Sequence, residues 1–170
     1  MLFRSNWDDR DAVMDALQRA FARYDGPITV VHGDAPGADR TAAMLVREYF
    51  RPRGSLESWR AGWTGPCRDT CTPGHRKPRT GGAEYCPAAG NYRNAEMVAA
   101  GADVCLAFPL GRSTGTRDCM WRAEGAGIRV VDCTRRGELD RWYTLPAHPT
   151  RAEAAQAAET PAHEPAGSNA

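Results

Sequence analysis

Three cysteines and a histidine stand close together in an otherwise ordinary chain, in the order Cys67-x3-Cys71-x3-His75-x10-Cys86. Three thiolates and one imidazole complete the ligand set of a tetrahedral zinc ion and leave no coordination position open for catalysis. Glycines and prolines separate the four residues, so the segment can wrap an ion but has little core of its own. The spacing is not that of a standard zinc finger, and reduced surface cysteines remain the alternative reading. Structural zinc is the expected cofactor. Cys105, Cys119 and Cys133 lie in or beside apolar segments and are expected to be small buried hydrophobes. Arg68, His75, Arg76, Lys77 and Arg79 make a local positive run, but it lacks a groove-reading helix and the aromatic pairs that stack single strands. It reads as a solvated basic loop rather than a nucleic-acid module.

A second kind of chemistry is suggested by two loops of similar design, "VVHGDAPGADR" (30–40) and "AFPLGRSTGTRD" (107–118). Each leaves an apolar strand, passes through glycine and enters a helix. Gly33, Gly37, Gly111 and Gly115 allow backbone amides to approach an anion, and the helix starts that follow favour phosphate. Asp34, Asp39, Ser113, Thr114 and Thr116 complete the candidate ligand-binding set from these loops. Between them lie Gly90, Asn91, Arg93 and Asn94, just before or in the first turn of a short helix expected over "NYRNAEMVAAG". An arginine there opposes the helix dipole, which points to a forked pair with a phosphate or carboxylate.

These groups need a frame. "WDDRDAVMDALQRAFARYDG" repeats apolar residues at helical spacing (Val13, Leu17, Ala20, Phe21, Tyr24), and a second helix is expected over about Ala38 to Phe50 with Ala42, Leu45, Val46 and Tyr49 on one side. "PITVVHG", "ADVCLAFP" and "IRVVDC" read as buried strands, "SLESW" as a weaker one, and "STGTRDCMWRAEGAG" as a helix capped by Ser113 or Thr114. Strands alternating with helices define an α/β fold with an open, mainly parallel sheet and flanking helices, carrying the Cys/His segment (64–89) as a small metal-binding loop insertion. Residues 1–145 form this domain. From Pro146 to the end, at 170, composition turns to Ala, Pro, Glu and Thr, and a disordered tail is expected.

The charge balance of +1 argues against a global field for nucleic acid or anionic membranes. No run of about eighteen apolar residues and no secretory signal is visible, so a cytoplasmic protein without membrane contact is expected.

"HGDAPGADRTAAMLV", "AAGNYRNAEMVAAGADVCLAFP" and "STGTRDCMWRAEGAGIRVV" together resemble the SLOG superfamily of Rossmann-like nucleotide-binding proteins, in its YspA/YpsA-related branch, from about Asn6 to Val131. The resemblance implies a domain that binds a nucleotide or nucleotide-derived small molecule across these loops, often as a homodimer. A better-understood branch, the Lonely Guy enzymes, distant relatives that include lysine-decarboxylase-like proteins, hydrolyses nucleoside monophosphates. Its arginine motif corresponds to Arg93, but its catalytic glutamate falls at Cys119, a thiol that cannot do a carboxylate's work. Phosphoribohydrolase activity is therefore the alternative and a sensor or binding domain the expectation. The family's first strand is central, yet here only Leu2 and Phe3 in "MLFRSN" suit a strand; either the natural start lies upstream or the site is trimmed, with Ser5 standing in for a loop serine.

Overall fold

The computed structural model describes residues 2–3, 9–146, 150, 153 and 156. Helix α1 (Arg10–Arg23) starts at Asp9, whose carboxylate accepts the Ala12 amide at 2.9 Å and so satisfies one of the free N–H groups of the first turn. It leads into β2 (Ile28–His32), α2 (Ala38–Tyr49) and β3 (Gly54–Ser58). The second half runs α3 (Ala89–Ala100), β6 (Val104–Ala107), α4 (Thr114–Gly125), β7 (Arg129–Asp132) and α5 (Arg136–Thr144). Between the halves, β4 (Lys77–Pro78) and β5 (Glu84–Tyr85) form a small antiparallel hairpin.

β1 (Leu2–Phe3), the two residues that suited a first strand, lies at the centre of a five-stranded sheet ordered β3-β2-β1-β6-β7. All its pairings are parallel, with Leu2 opposite His32 on one side and Leu106 on the other. Ser5 lies outside the described residues.

Alternation along the strands feeds two cores. Val30, Leu106 and Val131 join Val13, Leu17, Leu45, Val46, Leu139 and Trp142, which come from α1, α2 and α5. Their neighbours Val31, Cys105, Ala107 and Val130 turn the other way, to Met97, Val98, Cys119 and Ala123 of α3 and α4. The fold is thus mixed α/β, with helices covering both faces of a parallel sheet. Cys105, Cys119 and Cys133 are all buried, as their apolar surroundings suggested.

Several local expectations are corrected. Tyr49 does not face the core but lies 53% exposed, under the Arg10 guanidinium. α5 was not foreseen, because only Leu139 and Trp142 of its nine residues are buried and charge dominates the rest. Within the stretch expected to be disordered, Thr150 and Glu153 make reciprocal hydrogen bonds, the Thr150 amide to Glu153 Oε2 (2.6 Å) and the Glu153 amide to Thr150 Oγ1 (3.2 Å). That is a capping box written in "TRAE". The other residues beyond Pro146 lie outside the described set.

Leu45 is fully buried while its neighbour Met44 is 45% exposed. Leu45→Ala should cost about 2–5 kcal/mol in urea unfolding and Met44→Ala less than about 0.5 kcal/mol. Equal losses would contradict the packing of α2.

Candidate functional site: an arginine-lined cleft beside a Cys3His cluster

The segments that follow the carboxyl ends of β2 and β3 open onto a cleft of about 710 Å³. Gly33, Asp34, Ala35 and Pro36 come from the loop after β2, and Arg40 from the first turns of α2. Arg60, Ala61 and Trp63 follow β3; Pro78, Arg79, Thr80 and Tyr85 belong to the hairpin; Arg93 rises from α3. The lining thus holds four arginines and one carboxylate, that of Asp34.

Asp34 adopts a left-handed backbone conformation (φ 53°), tolerated by aspartate better than by most residues. Its carboxylate meets Arg60 Nε at 2.9 Å and Arg40 Nε at 3.8 Å. Both arginines are largely exposed, so these pairs orient side chains more than they stabilise the fold.

Arg93 is 7% exposed, which its charge alone would forbid. It donates from Nη1 to the Gly33 carbonyl and to the Trp59 carbonyl (3.2 Å), and from Nε to Asn94 Oδ1 (3.0 Å). Gly33 is required by this contact, since a Cβ there would lie 1.6 Å from Arg93 Nη1. Asp39 is buried beneath the same loop, where its Oδ2 accepts the Gly33 and Ala35 amides, each at 3.0 Å. Its Oδ1 has no hydrogen-bond partner among the described residues. Burial raises the Asp39 carboxyl from 3.8 to about 6, against the opposing pull of the two amides and the Arg93 charge. His32, also buried, accepts the Asp34 amide at Nδ1 (3.2 Å), and burial lowers its pKa.

The Cys/His quartet closes a few residues away. The ligand atoms of Cys67, Cys71, His75 and Cys86 all lie within 4.8 Å of one another. Cys71 Sγ is 3.9 Å from Cys86 Sγ, and His75 Nε2 is 3.2 Å from Cys86 Sγ and 3.5 Å from Cys67 Sγ. Thiolates sharing a tetrahedral zinc stand about 3.8 Å apart, so the donors fit such an ion. His75 Nδ1 lies 2.6 Å from the Thr72 carbonyl, which orients Nε2 inward as an outer-shell partner does. Arg76 Nη1 donates to Cys67 Sγ at 3.3 Å. The cluster is moored to α3: Tyr92 OH meets Cys71 Sγ and Thr70 Oγ1, each at 3.1 Å, while Arg68 lies over the Tyr92 ring and pairs with Glu96.

The remaining expected residues are distributed differently. Asn91, Arg93 and Asn94 lie inside α3, within the helix read over "NYRNAEMVAAG", and Gly90 belongs to it too because the helix starts at Ala89. Gly90 occupies the first turn because Trp63 packs there, where a Cβ would come within 3.1 Å of the indole. Gly37 caps α2 with φ 90°. Gly111, Ser113, Thr114, Gly115 and Thr116 do not line the cleft. Ser113 Oγ accepts the Leu110 amide, Thr116 is fully buried, and the Gly115 carbonyl accepts from Asn94 Nδ2 at 3.1 Å. Cys119 faces the core, with burial pushing its thiol far above the ordinary range. Arg40, Arg60, Arg79 and the aromatic pair Trp63–Tyr85 were missed as site residues. Their rings sit 6.2 Å apart, edge to face, brought together by a hairpin that no periodicity in the sequence announces.

A parallel-sheet α/β domain with a possible Cys3His metal site is the class that this fold and cluster define. The chain belongs to the family of the Gene 61 protein of Mycobacterium phage D29, with 44% identity over 130 residues that cover 74% of this chain and 87% of that protein. No family model and no solved structure matches it. Among the described residues no helix is long and apolar enough to cross a membrane.

Gly33→Ala should destabilise the protein by about 1–3 kcal/mol through the clash with Arg93, whereas Gly115→Ala, with open space around it, should be neutral or stabilising in thermal unfolding. Asp39 gives a pH signature. Its folded pKa lies above the unfolded value, so the native state holds the extra proton and the ionised carboxyl weakens the fold as pH rises from about 4 to above 6. Relative to Asp39→Asn, which cannot ionise, the native protein should lose about 3 kcal/mol over that window. A pH-independent difference between the two in urea unfolding would contradict this assignment.

Proposed function

We propose that the protein is a SLOG-type, Rossmann-like domain that binds a nucleotide or nucleotide-derived small molecule in the arginine-lined cleft, with a structural zinc ion in the Cys3His cluster. One observation carries the reading: four arginines and two aromatic rings converge on a single concavity just beyond the carboxyl ends of β2 and β3. Ligands of open parallel sheets bind at that edge, and guanidinium groups recognise phosphate through paired donors. Asp39 holds the glycine loop in shape from below, and Arg93 fixes its Gly33 carbonyl, so the loop is organised before any ligand arrives.

Zinc, when bound, supplies a four-point crosslink and no open coordination position. Cys67, Cys71, His75 and Cys86 would hold it.

Hydrolysis of nucleoside monophosphates finds no support at the equivalent of the catalytic glutamate, since Cys119 is sealed in the core. Its neighbour Asp118 accepts from Asn94 Nδ2 and Arg122 Nε, each at 3.0 Å, and does not line the cleft.

Calorimetry of the zinc-loaded protein with AMP, ADP and ADP-ribose should give dissociation constants well below about 1 mM for at least one of them. Arg93→Ala should weaken that binding by more than about 1 kcal/mol, and chelation of the metal should weaken it as well. Absence of binding by all three would sink the reading. Release of free base from AMP, lost in Arg93→Ala, would replace it with the hydrolase.

A further inference from the structure

The hairpin that closes the cleft is two residues long on each strand, far below what is stable alone in water. Its open end is held instead by the metal-ligand cluster. His75 lies two positions before β4, and Cys86 follows directly after β5. Arg76 reinforces the same end, donating to the Glu84 carbonyl at 2.8 Å as well as to Cys67 Sγ. The Cys86 amide in turn donates to the Trp63 carbonyl at 2.8 Å. Tyr85, Trp63 and Arg79 are therefore held in the cleft lining by the clamped end, while Arg40 and Arg60 line the same cleft around Asp34.

We infer that two groups in the lining divide the work: Tyr85 and Trp63, held by the clamped hairpin, take an aromatic base, and Arg40 and Arg60, gathered around Asp34, take a diphosphate, so that the site selects a nucleoside diphosphate group over bare phosphates. This rests on the nucleotide reading above and deepens it. A stacked base contributes about tenfold or more in affinity, enough to separate a nucleotide from its inorganic counterpart. Arginines outnumber carboxylates four to one in the lining, which suits more than a single phosphate.

The test compares ADP with inorganic pyrophosphate by calorimetry on zinc-loaded protein, with zinc content and melting temperature measured for every variant. The native protein should bind ADP at least about tenfold tighter than pyrophosphate. Tyr85→Leu should erase about tenfold of the ADP affinity while leaving pyrophosphate binding within about twofold, and Tyr85→Phe should keep both. Equal affinity of the native protein for the two ligands would overturn the division of labour, as would a Tyr85→Leu variant, folded and with full zinc, that weakens both alike. Displacement of ADP by a short single-stranded oligonucleotide at lower concentration than by pyrophosphate would assign the aromatic pair to nucleic acid instead. Binding of pyrophosphate without a preference for ADP defeats this inference alone; binding of neither defeats the nucleotide reading with it.

Discussion

The buried guanidinium of Arg93 is the contact on which the candidate site depends. A charged side chain withdrawn from water costs several kcal/mol unless its donors are satisfied, and here two backbone carbonyls and an amide oxygen accept them. Those carbonyls belong to Gly33, after β2, and Trp59, after β3. The arginine thereby ties the ends of neighbouring strands to α3, and the tie explains the glycine at 33 more directly than phosphate approach does. Asp39 lies close enough for the Arg93 charge to lower its pKa, so the arginine and the aspartate each temper the cost of burying the other. Loop shape, buried charge and cleft wall are one problem with one solution.

Three consecutive residues of α3 extend that tie in three directions, as side chains about 100° apart on a helix must. Tyr92 reaches the Cys71 thiol, Arg93 the β2 and β3 loops, and Asn94 the Gly115 carbonyl and Asp118 at the start of α4. A single turn therefore joins the metal cluster, the cleft and the second glycine loop. The quartet acts as a brace on the site: its nearest covalent neighbours are the hairpin that walls the cleft, and its nearest hydrogen-bonded neighbour is the helix that carries Arg93.

What could be read from the sequence follows from how local each signal is. The heptad-like spacing of Val13, Leu17, Ala20 and Phe21, the β-branched run before His32 and the apolar setting of Cys105 and Cys119 are all local, and each element lies where its pattern placed it. The metal quartet is local too, because thiolates and imidazole within one flexible segment have few other uses. The cleft is not. Tyr85 joins Trp63 and Arg60 only through the fold of the two-stranded hairpin, and no single stretch of sequence carries that information. Nor does an arginine's charge announce whether it will meet solvent, phosphate or carbonyl oxygen: Arg93, expected to face a phosphate or carboxylate, is buried against carbonyls, while Arg60, not singled out, is largely exposed in the cleft lining. The two glycine loops also look equivalent on paper. They differ because α4 begins against Asn94, which occupies the Gly115 carbonyl, while α2 begins beside the open cleft.

Asp34 limits what kind of anion the cleft would accept under the proposed function. Its carboxylate already partners Arg60 and, more loosely, Arg40, so an entering anion meets guanidinium groups that are oriented but not empty-handed. An exposed ion pair of this kind is worth at most about 1 kcal/mol, so exchanging partners is cheap. The fixed negative charge at 34 nevertheless repels every entering anion, and the repulsion is offset only by ligands that engage several arginines together. A single carboxylate gains no more from Arg60 than Asp34 already does. On the proposed reading, a group with two phosphates would engage Arg40 and Arg60 together, against one carboxylate in a lining that holds four arginines, so the same carboxylate that preorganises the arginines would also set the threshold of charge a ligand must carry.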